Sequence, residues 1–130
     1  MSDDLRDQGM ATRREVLGDA HVDRALADAN GFTADFQELL TRYAWGAVWS
    51  RPGLDRRMRS CITLAMLAAQ GSDRELAMHV HAARRNGVSV DEIKEVLLQV
   101  AVYAGLPRAN HAFAVAREAL AGTTELPGQP

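Results

Sequence analysis

Ser72-Asp73-Arg74-Glu75-Leu76-Ala77-Met78-His79-Val80-His81-Ala82-Ala83-Arg84-Arg85-Asn86-Gly87 is the stretch on which the fold class turns. Leu76, Val80 and Ala83 recur at the spacing of one helical face, and nothing here alternates with the period of a strand. Ser72 followed by Glu75 has the form of a capping box, and Gly87 supplies the stop. The stretch therefore predicts an amphipathic helix. On that helix Glu75 and His79 lie one turn apart on a shared face. His79 borders the apolar stripe, which predicts a half-buried imidazole beside a cleft, whereas His81 points off the stripe toward solvent. A carboxylate next to an imidazole can fix its tautomer and move a proton near neutral pH. Two plainer readings of Glu75 stand beside this one. It can be half of an exposed i,i+4 pair, or a cap residue reaching back to the start of the helix.

The same signals repeat on both sides. A first helix is predicted from Asp4 to Leu17 with Gly18 as stop, and a short one from His21 to Ala29 ending at Asn30-Gly31. Thr33 caps a third that runs to Ser50 and is closed by Pro52-Gly53. Asp55 caps a fourth to Ala69. Ser89-Val90-Asp91-Glu92 is a second capping box, opening a helix that reaches Ala104 and stops at Gly105. Pro107 starts the last, which runs to Ala121. The expectation is an all-α, single-domain helical bundle over residues 1–130, of about six to seven helices, with 1–3 and 122–130 as loose tails.

Two of these helices are apolar on more than one side. In the Thr33–Ser50 segment, Phe36, Leu40, Tyr43 and Ala47 make one stripe, while Trp45 and Trp49 lie roughly opposite with Glu38. In the Ser89–Ala104 segment, Ile93, Val96, Leu97, Val100 and Ala104 make a core stripe, but Leu98 and Val102 fall outside it. A chain of 130 residues has too little interior for both faces, and large exposed apolar patches mark an interface or a binding groove. The pattern predicts a homo-oligomer whose binding site is lined partly by the Trp face; the simpler alternative is a Trp closing the edge of the core.

Composition bounds the function. Lys and Arg total 15 against 17 Asp and Glu, a net charge of −2, so the basic excess of a nucleic-acid footprint is missing. Cys61 is the one cysteine; it excludes an internal disulfide framework, fits a reducing compartment, and reads as a small buried hydrophobe in its apolar run. Met1–Asp7 is charged, unlike a signal peptide, and no apolar run approaches the ~20 residues needed to span a bilayer. A cytoplasmic protein with no membrane and no nucleic-acid partner is expected.

Longer patterns carry a resemblance. Tyr43-Ala44-Trp45-Gly46-x-x-Trp49-x-Arg51-Pro52-Gly53, then Leu54-Asp55-Arg56-Arg57-Met58-Arg59-Ser60, then Glu75-Leu76-x-x-His79, Gly87, and the run from Asp91 to Pro107 stand in order and at matching spacing. Together, from about Gly18 to Leu120, they resemble the carboxymuconolactone decarboxylase family of the alkylhydroperoxidase-like superfamily. Superfamily peroxidases carry Cys-x-x-Cys-x-x-x-His on this helix; aligned on His79, the cysteine positions hold Ser72 and Glu75. Dithiol chemistry needs an attacking and a resolving thiol close together, so that branch does not fit.

The resemblance implies an oligomeric enzyme, a trimer or hexamer, of protocatechuate and β-ketoadipate catabolism that removes CO2 from a lactone dicarboxylate with no cofactor and no metal. The implied substrate is an unsaturated five-membered lactone with a carboxylate and an acetate arm on the ring carbon beside the ring oxygen. Decarboxylation sends the electrons through the ring double bond into the lactone carbonyl, so the substrate is its own electron sink. The enzyme must grip a dianion, exclude water, and supply a donor to oxygen and a proton to carbon. Arg51 and Arg59 are the candidates for the carboxylates, since a guanidinium fork grips them and stays charged when desolvated; each can equally be an ion-pair partner between subunits. His79 and Glu75 are the candidate catalytic pair, and Trp45 and Trp49 the dry wall. Two other outcomes stay open: a superfamily member that only binds a small ligand or partner, and a decarboxylase or isomerase of a related lactone or β-keto acid.

Overall fold

The computed structural model describes residues 3–123, and among these the chain is helical throughout, with no strand. It forms two compact units that divide between Arg56 and Arg57.

The first unit holds α1 (Asp4–Leu17), α2 (Asp19–Asp28), α3 (Ala34–Leu39) and a π-helix (Leu40–Trp49) that continues α3 without a break. Asp3, expected in a loose tail, instead caps α1: its carboxylate accepts from the Arg6 backbone N–H at 3.2 Å and pairs with Arg42. Gly18 has a φ of 91°, a conformation that suits glycine, and serves both as the end of α1 and the entry to α2. Asn30 and Thr33 shape the approach to α3, with Asn30 Oδ1 accepting from Phe32 N–H at 2.9 Å and Thr33 Oγ1 from Asn30 N–H at 2.9 Å.

The segment after Leu39 departs from the α-helix predicted to Ser50. Thr41 Oγ1 donates to the Gln37 carbonyl at 2.9 Å, and at the far end Ser50 donates to the Trp45 carbonyl through both its hydroxyl (2.7 Å) and its N–H (3.1 Å). Those side-chain bonds occupy carbonyls at the two ends of the wider helix. Gly46 in the middle allows α1 to come close. A Cβ on Gly9 would overlap the Thr41 carbonyl and lie 2.9 Å from Gly46 N, and one on Gly46 would lie 2.6 Å from the Leu5 carbonyl oxygen. The crossing is backbone to backbone, and only glycine fits on either side.

Of the two apolar faces of this segment, it is the Trp45 side that packs, as the alternative of a Trp closing the edge of the core has it. Phe36 and Tyr43 are 58% and 66% exposed, whereas Trp45 is 6% exposed and Thr41 and Gly46 are buried. The face that meets α1 must be thin, so Gly46 and Thr41 take it and the aromatics turn out. A helical wheel drawn at 3.6 residues per turn also loses phase once hydrogen bonds span five residues.

The second unit is a more conventional apolar core. It comprises α4 (Arg56–Gln70, whose first residue ends the first unit), α5 (Asp73–Arg85), α6 (Val90–Ala104) and α7 (Leu106–Ala119). Leu64, Leu76, Val80, Ile93, Leu97 and Val100 pack together with Ala112, Ala116 and Leu120. Each fully buried Leu or Ile there contributes about 1.5–3 kcal/mol. Leu98 and Val102 lie outside the core and are exposed, as the stripe on α6 predicts. The capping box at Ser89 is formed: Ser89 Oγ accepts from Glu92 N–H at 3.0 Å, and Glu92 Oε1 accepts from Ser89 N–H at 2.9 Å. The other carboxylate oxygen of Glu92 pairs with Arg57. The box predicted at Ser72 is not formed. Ser72 is the N-cap by position, but its hydroxyl faces Gln70 Oε1 at 3.5 Å and caps nothing. The α4–α5 turn that places Ser72 passes through Gly71, at a φ of 73°, beneath the Arg108 guanidinium. The expected loose residues 1–2 and 124–130 lie outside the described part, and no described helix is long and apolar enough to cross a membrane.

Candidate active site

α5 presents its buried face through Leu76, His79, Val80, Ala82 and Ala83. His79 is therefore more deeply placed than the stripe edge predicts, at 8% exposure. Its ring lies within the apolar row because the packed face of α5 takes in position 79 as well as 76, 80 and 83. His81 is exposed, as predicted. Glu75, one turn before His79, is exposed, and its carboxylate makes no hydrogen bond or ion pair among the described residues. The cap reading of Glu75 is thereby overturned. What remains is an acidic side chain in solvent one turn from a buried imidazole.

Arg59 is half-buried in the first turn of α4. On the next turn its carbonyl accepts from Thr63 Oγ1 at 2.8 Å. Cys61, expected as a buried small hydrophobe, is half-buried and packs against the core of the second unit. At the other end of α5, Asn86 Nδ2 donates to the fully buried Ser60 Oγ at 3.2 Å, tying the start of α4 to the close of α5.

The remaining predicted residues belong to the first unit. Trp45 and Trp49 stack with ring centroids 5.0 Å apart and planes tilted by 33°. Trp45 is buried and Trp49 half-buried, so Trp49 offers the indole surface and Trp45 backs it. Aromatic pairs in such offset geometry hold each other's orientation. Arg51 is exposed just past the π-helix, its N–H donating to the Val48 carbonyl at 3.1 Å. Thus the structure groups Trp45, Trp49 and Arg51 in one unit, and Arg59, Glu75 and His79 in the other.

One charged residue escapes the sequence reading. Arg13 is buried on α1, 4% exposed, among Gly9, Thr12 and Val16. Nη2 donates to Gln37 Oε1 at 2.9 Å and Nη1 to Thr41 Oγ1 at 3.4 Å. Burial first, and then the charge of Arg14, hold this guanidinium below the usual arginine value. The signal is visible in spacing: Arg13 stands at i+4 from Gly9 and i−3 from Val16, on the packed face. Among the described residues no group of three or more His, Cys, Asp or Glu could hold a metal ion.

Comparison with known proteins agrees with the resemblance in the sequence. The profile of the Carboxymuconolactone decarboxylase family matches residues 34–118. A 4-carboxymuconolactone decarboxylase of Acinetobacter baylyi is 50% identical over 119 residues, 91% of this chain and 89% of that one. A nitrosuccinic acid decarboxylase of Metarhizium robertsii is 44% identical over 116 residues, 89% of this chain and 81% of that one. A 4-carboxymuconolactone decarboxylase of Pseudomonas putida shares 60% identity over 40 residues, 31% of this chain and 83% of that one.

Proposed function

The chain belongs to the carboxymuconolactone decarboxylase family, and on that footing we propose that it decarboxylates 4-carboxymuconolactone to the 3-oxoadipate enol-lactone, a step of β-ketoadipate catabolism. The observation that carries this is the close similarity, over nearly all of both chains, to a protein of that activity. The family match crosses the boundary between the two units, which supports reading them as one family domain.

The proposed chemistry follows from the substrate. The bond from the ring carbon to the carboxylate breaks, CO2 leaves, and the electron pair passes through the ring double bond to the oxygen of the lactone carbonyl. The dienolate then takes a proton on the carbon beside the carbonyl. Because the lactone accepts the electrons, no cofactor is needed, and turnover is expected to survive exhaustive chelation and thiol alkylation. Arg51 and Arg59 grip carboxylates, and His79 supplies the donor and the proton. Glu75, exposed and unbonded to the ring in this structure, turns in to orient and charge the imidazole when substrate is bound. Trp49, backed by Trp45, keeps water from the departing group. The loss of the lactone's ultraviolet absorbance on adding enzyme tests the reading; an inert, folded protein would overturn it.

A second substrate is favoured by the similarity to the nitrosuccinic acid decarboxylase. Nitrosuccinate shares one fragment with the lactone: a carbon bearing the departing carboxylate, an acetate arm and an electron acceptor. Loss of CO2 there places the pair on the nitro oxygens as a nitronate, which is protonated on carbon. Assaying both compounds with one preparation ranks them.

The protein acts as a homo-oligomer, a trimer or hexamer, in the cytoplasm. Phe32, Phe36, Leu39 and Tyr43 form an exposed row on the first unit, and Leu98, Val102, Tyr103 and Leu106 an exposed apolar patch on the second. A groove there is lined by Leu98, Ala101, Leu106, Pro107 and Phe113. Patches of that kind mark association surfaces, and sedimentation at micromolar concentration reads the mass; a stable, active monomer would contradict it.

A further inference from the structure

Arg13 is a buried charge for which the proposed chemistry has no use. Five carboxylates of the first unit pair with other arginines: Asp3 with Arg42, Glu38 with Arg6 and Arg42, Asp19 and Asp23 with Arg14, and Glu15 with Arg56. Arg13 pairs with no carboxylate among the described residues. It has two neutral contacts, Gln37 and Thr41, set against the five N–H donors of a guanidinium, and its buried Nε–H has no hydrogen-bond partner there.

Such an arrangement is costly. Taking a guanidinium out of water without a counter-charge is among the most unfavourable burials a side chain can make, and a methionine in the same space on the α1 stripe would avoid it. With one N–H of each terminal nitrogen used, the Nε–H and a neighbouring Nη–H remain, and that edge of a guanidinium can receive a planar carboxylate on two bonds. We infer that Arg13 is a carboxylate-binding site for a small organic dianion, its counter-charge arriving with the ligand. This rests on the reading that the substrate is a dicarboxylate, and it adds a third arginine to Arg51 and Arg59. The bonds to Gln37 and Thr41 fix the guanidinium before the ligand arrives. A carboxylate could also come from a second copy of the chain, and the test separates the two sources.

The probe is succinate, which has two carboxylates and no electron sink, so it reports binding without turnover. Its affinity is measured by calorimetry for the wild-type chain, Arg13→Met and Arg13→Lys, with the mass of each followed by sedimentation. Arg13→Met is expected to weaken succinate about 10- to 100-fold, the worth of a charged hydrogen bond, with Arg13→Lys between and all three masses equal. Equal affinity in wild type and Arg13→Met overturns the inference, whatever the melting temperature does. So does no binding to the wild type, or a fall in mass with succinate affinity intact, which would assign the carboxylate to a neighbouring subunit. If Arg13→Met does not fold, the wild type decides: succinate must shift a slowly exchanging arginine Nε–H resonance, and an unmoved spectrum overturns the site. A chain that loses succinate with Arg13 yet leaves the lactone untouched would sink the proposed function and keep this site.

Discussion

In the first unit α1 meets the π-helix through Gly9 and Gly46, and polar groups such as Thr12, Arg13, Thr41 and Ser50 fill the contact. In the second unit α4 to α7 meet through Leu, Ile, Val and Ala, with His79 in mid-helix and Ser60 near the start of α4 as the buried polar groups. The capping bonds of Ser89 and Glu92 lie at a helix end. The apolar core gains from each buried side chain and tolerates small changes of shape. The glycine crossing gains from directed hydrogen bonds and tolerates nothing added at its centre. Stability and precision are thus divided: one unit is held by burial, the other by fit.

Substitutions can break or sharpen that contrast. The largest effect is expected on turnover, at the one buried titratable side chain of α5. His79→Ala should lower the rate by at least about 100-fold, the low end for loss of a general acid, with the fold kept. Glu75→Gln should cost less and leave the melting temperature unchanged, since its carboxylate caps nothing, and His81→Ala should cost least. Rates and melting curves of the three variants check this; near-normal turnover in His79→Ala would end the mechanism. Next comes Leu97→Ala in the apolar core, expected to lose about 2–5 kcal/mol in denaturant titration.

Gly9→Ala puts one methyl into the crossing and is expected to lose about 1–3 kcal/mol or more, because the clash is with backbone that no rotamer relieves. A neutral Gly9→Ala would mean that the crossing is loose and the contrast between units false. The smallest effects separate the two cap positions of the second unit. Ser89→Ala should cost about 1 kcal/mol, the value of a working cap, and Ser72→Ala close to nothing.

Helix existence was legible because its signals are local: Gly18, Gly87 and Gly105 take positive φ at the predicted stops, and Ser89-Glu92 forms the predicted box. The α6 stripe was legible for the same reason, its period being that of an ordinary helix. What the sequence conceals is decided by partners. The π register depends on side-chain bonds from Thr41 and Ser50 and on the approach of Gly9 from another helix, so the wheel shows two apolar faces without saying that Trp45, and not Phe36 and Tyr43, packs inward. Ser72 has the right neighbours for a cap, yet the Gly71 turn aims its hydroxyl away. Arg13 was hidden by its own type, since a charge is expected outside and only its spacing says otherwise.

The wide helix also changes what a deletion means between Leu40 and Trp49. In an α-helix, losing one residue shortens the rod and turns all that follows by about 100°. Here a lost residue would let the carbonyls find partners four positions on, and the ordinary coil would return nearly intact. The helix itself should therefore absorb the deletion, and the loss should fall on the crossing, where Gly46 would leave its place against Gly9, and on Trp49 and Arg51, which would swing around the axis relative to Glu38. Its reading frame, more than its hydrogen bonds, is what keeps those two side chains pointed where they are.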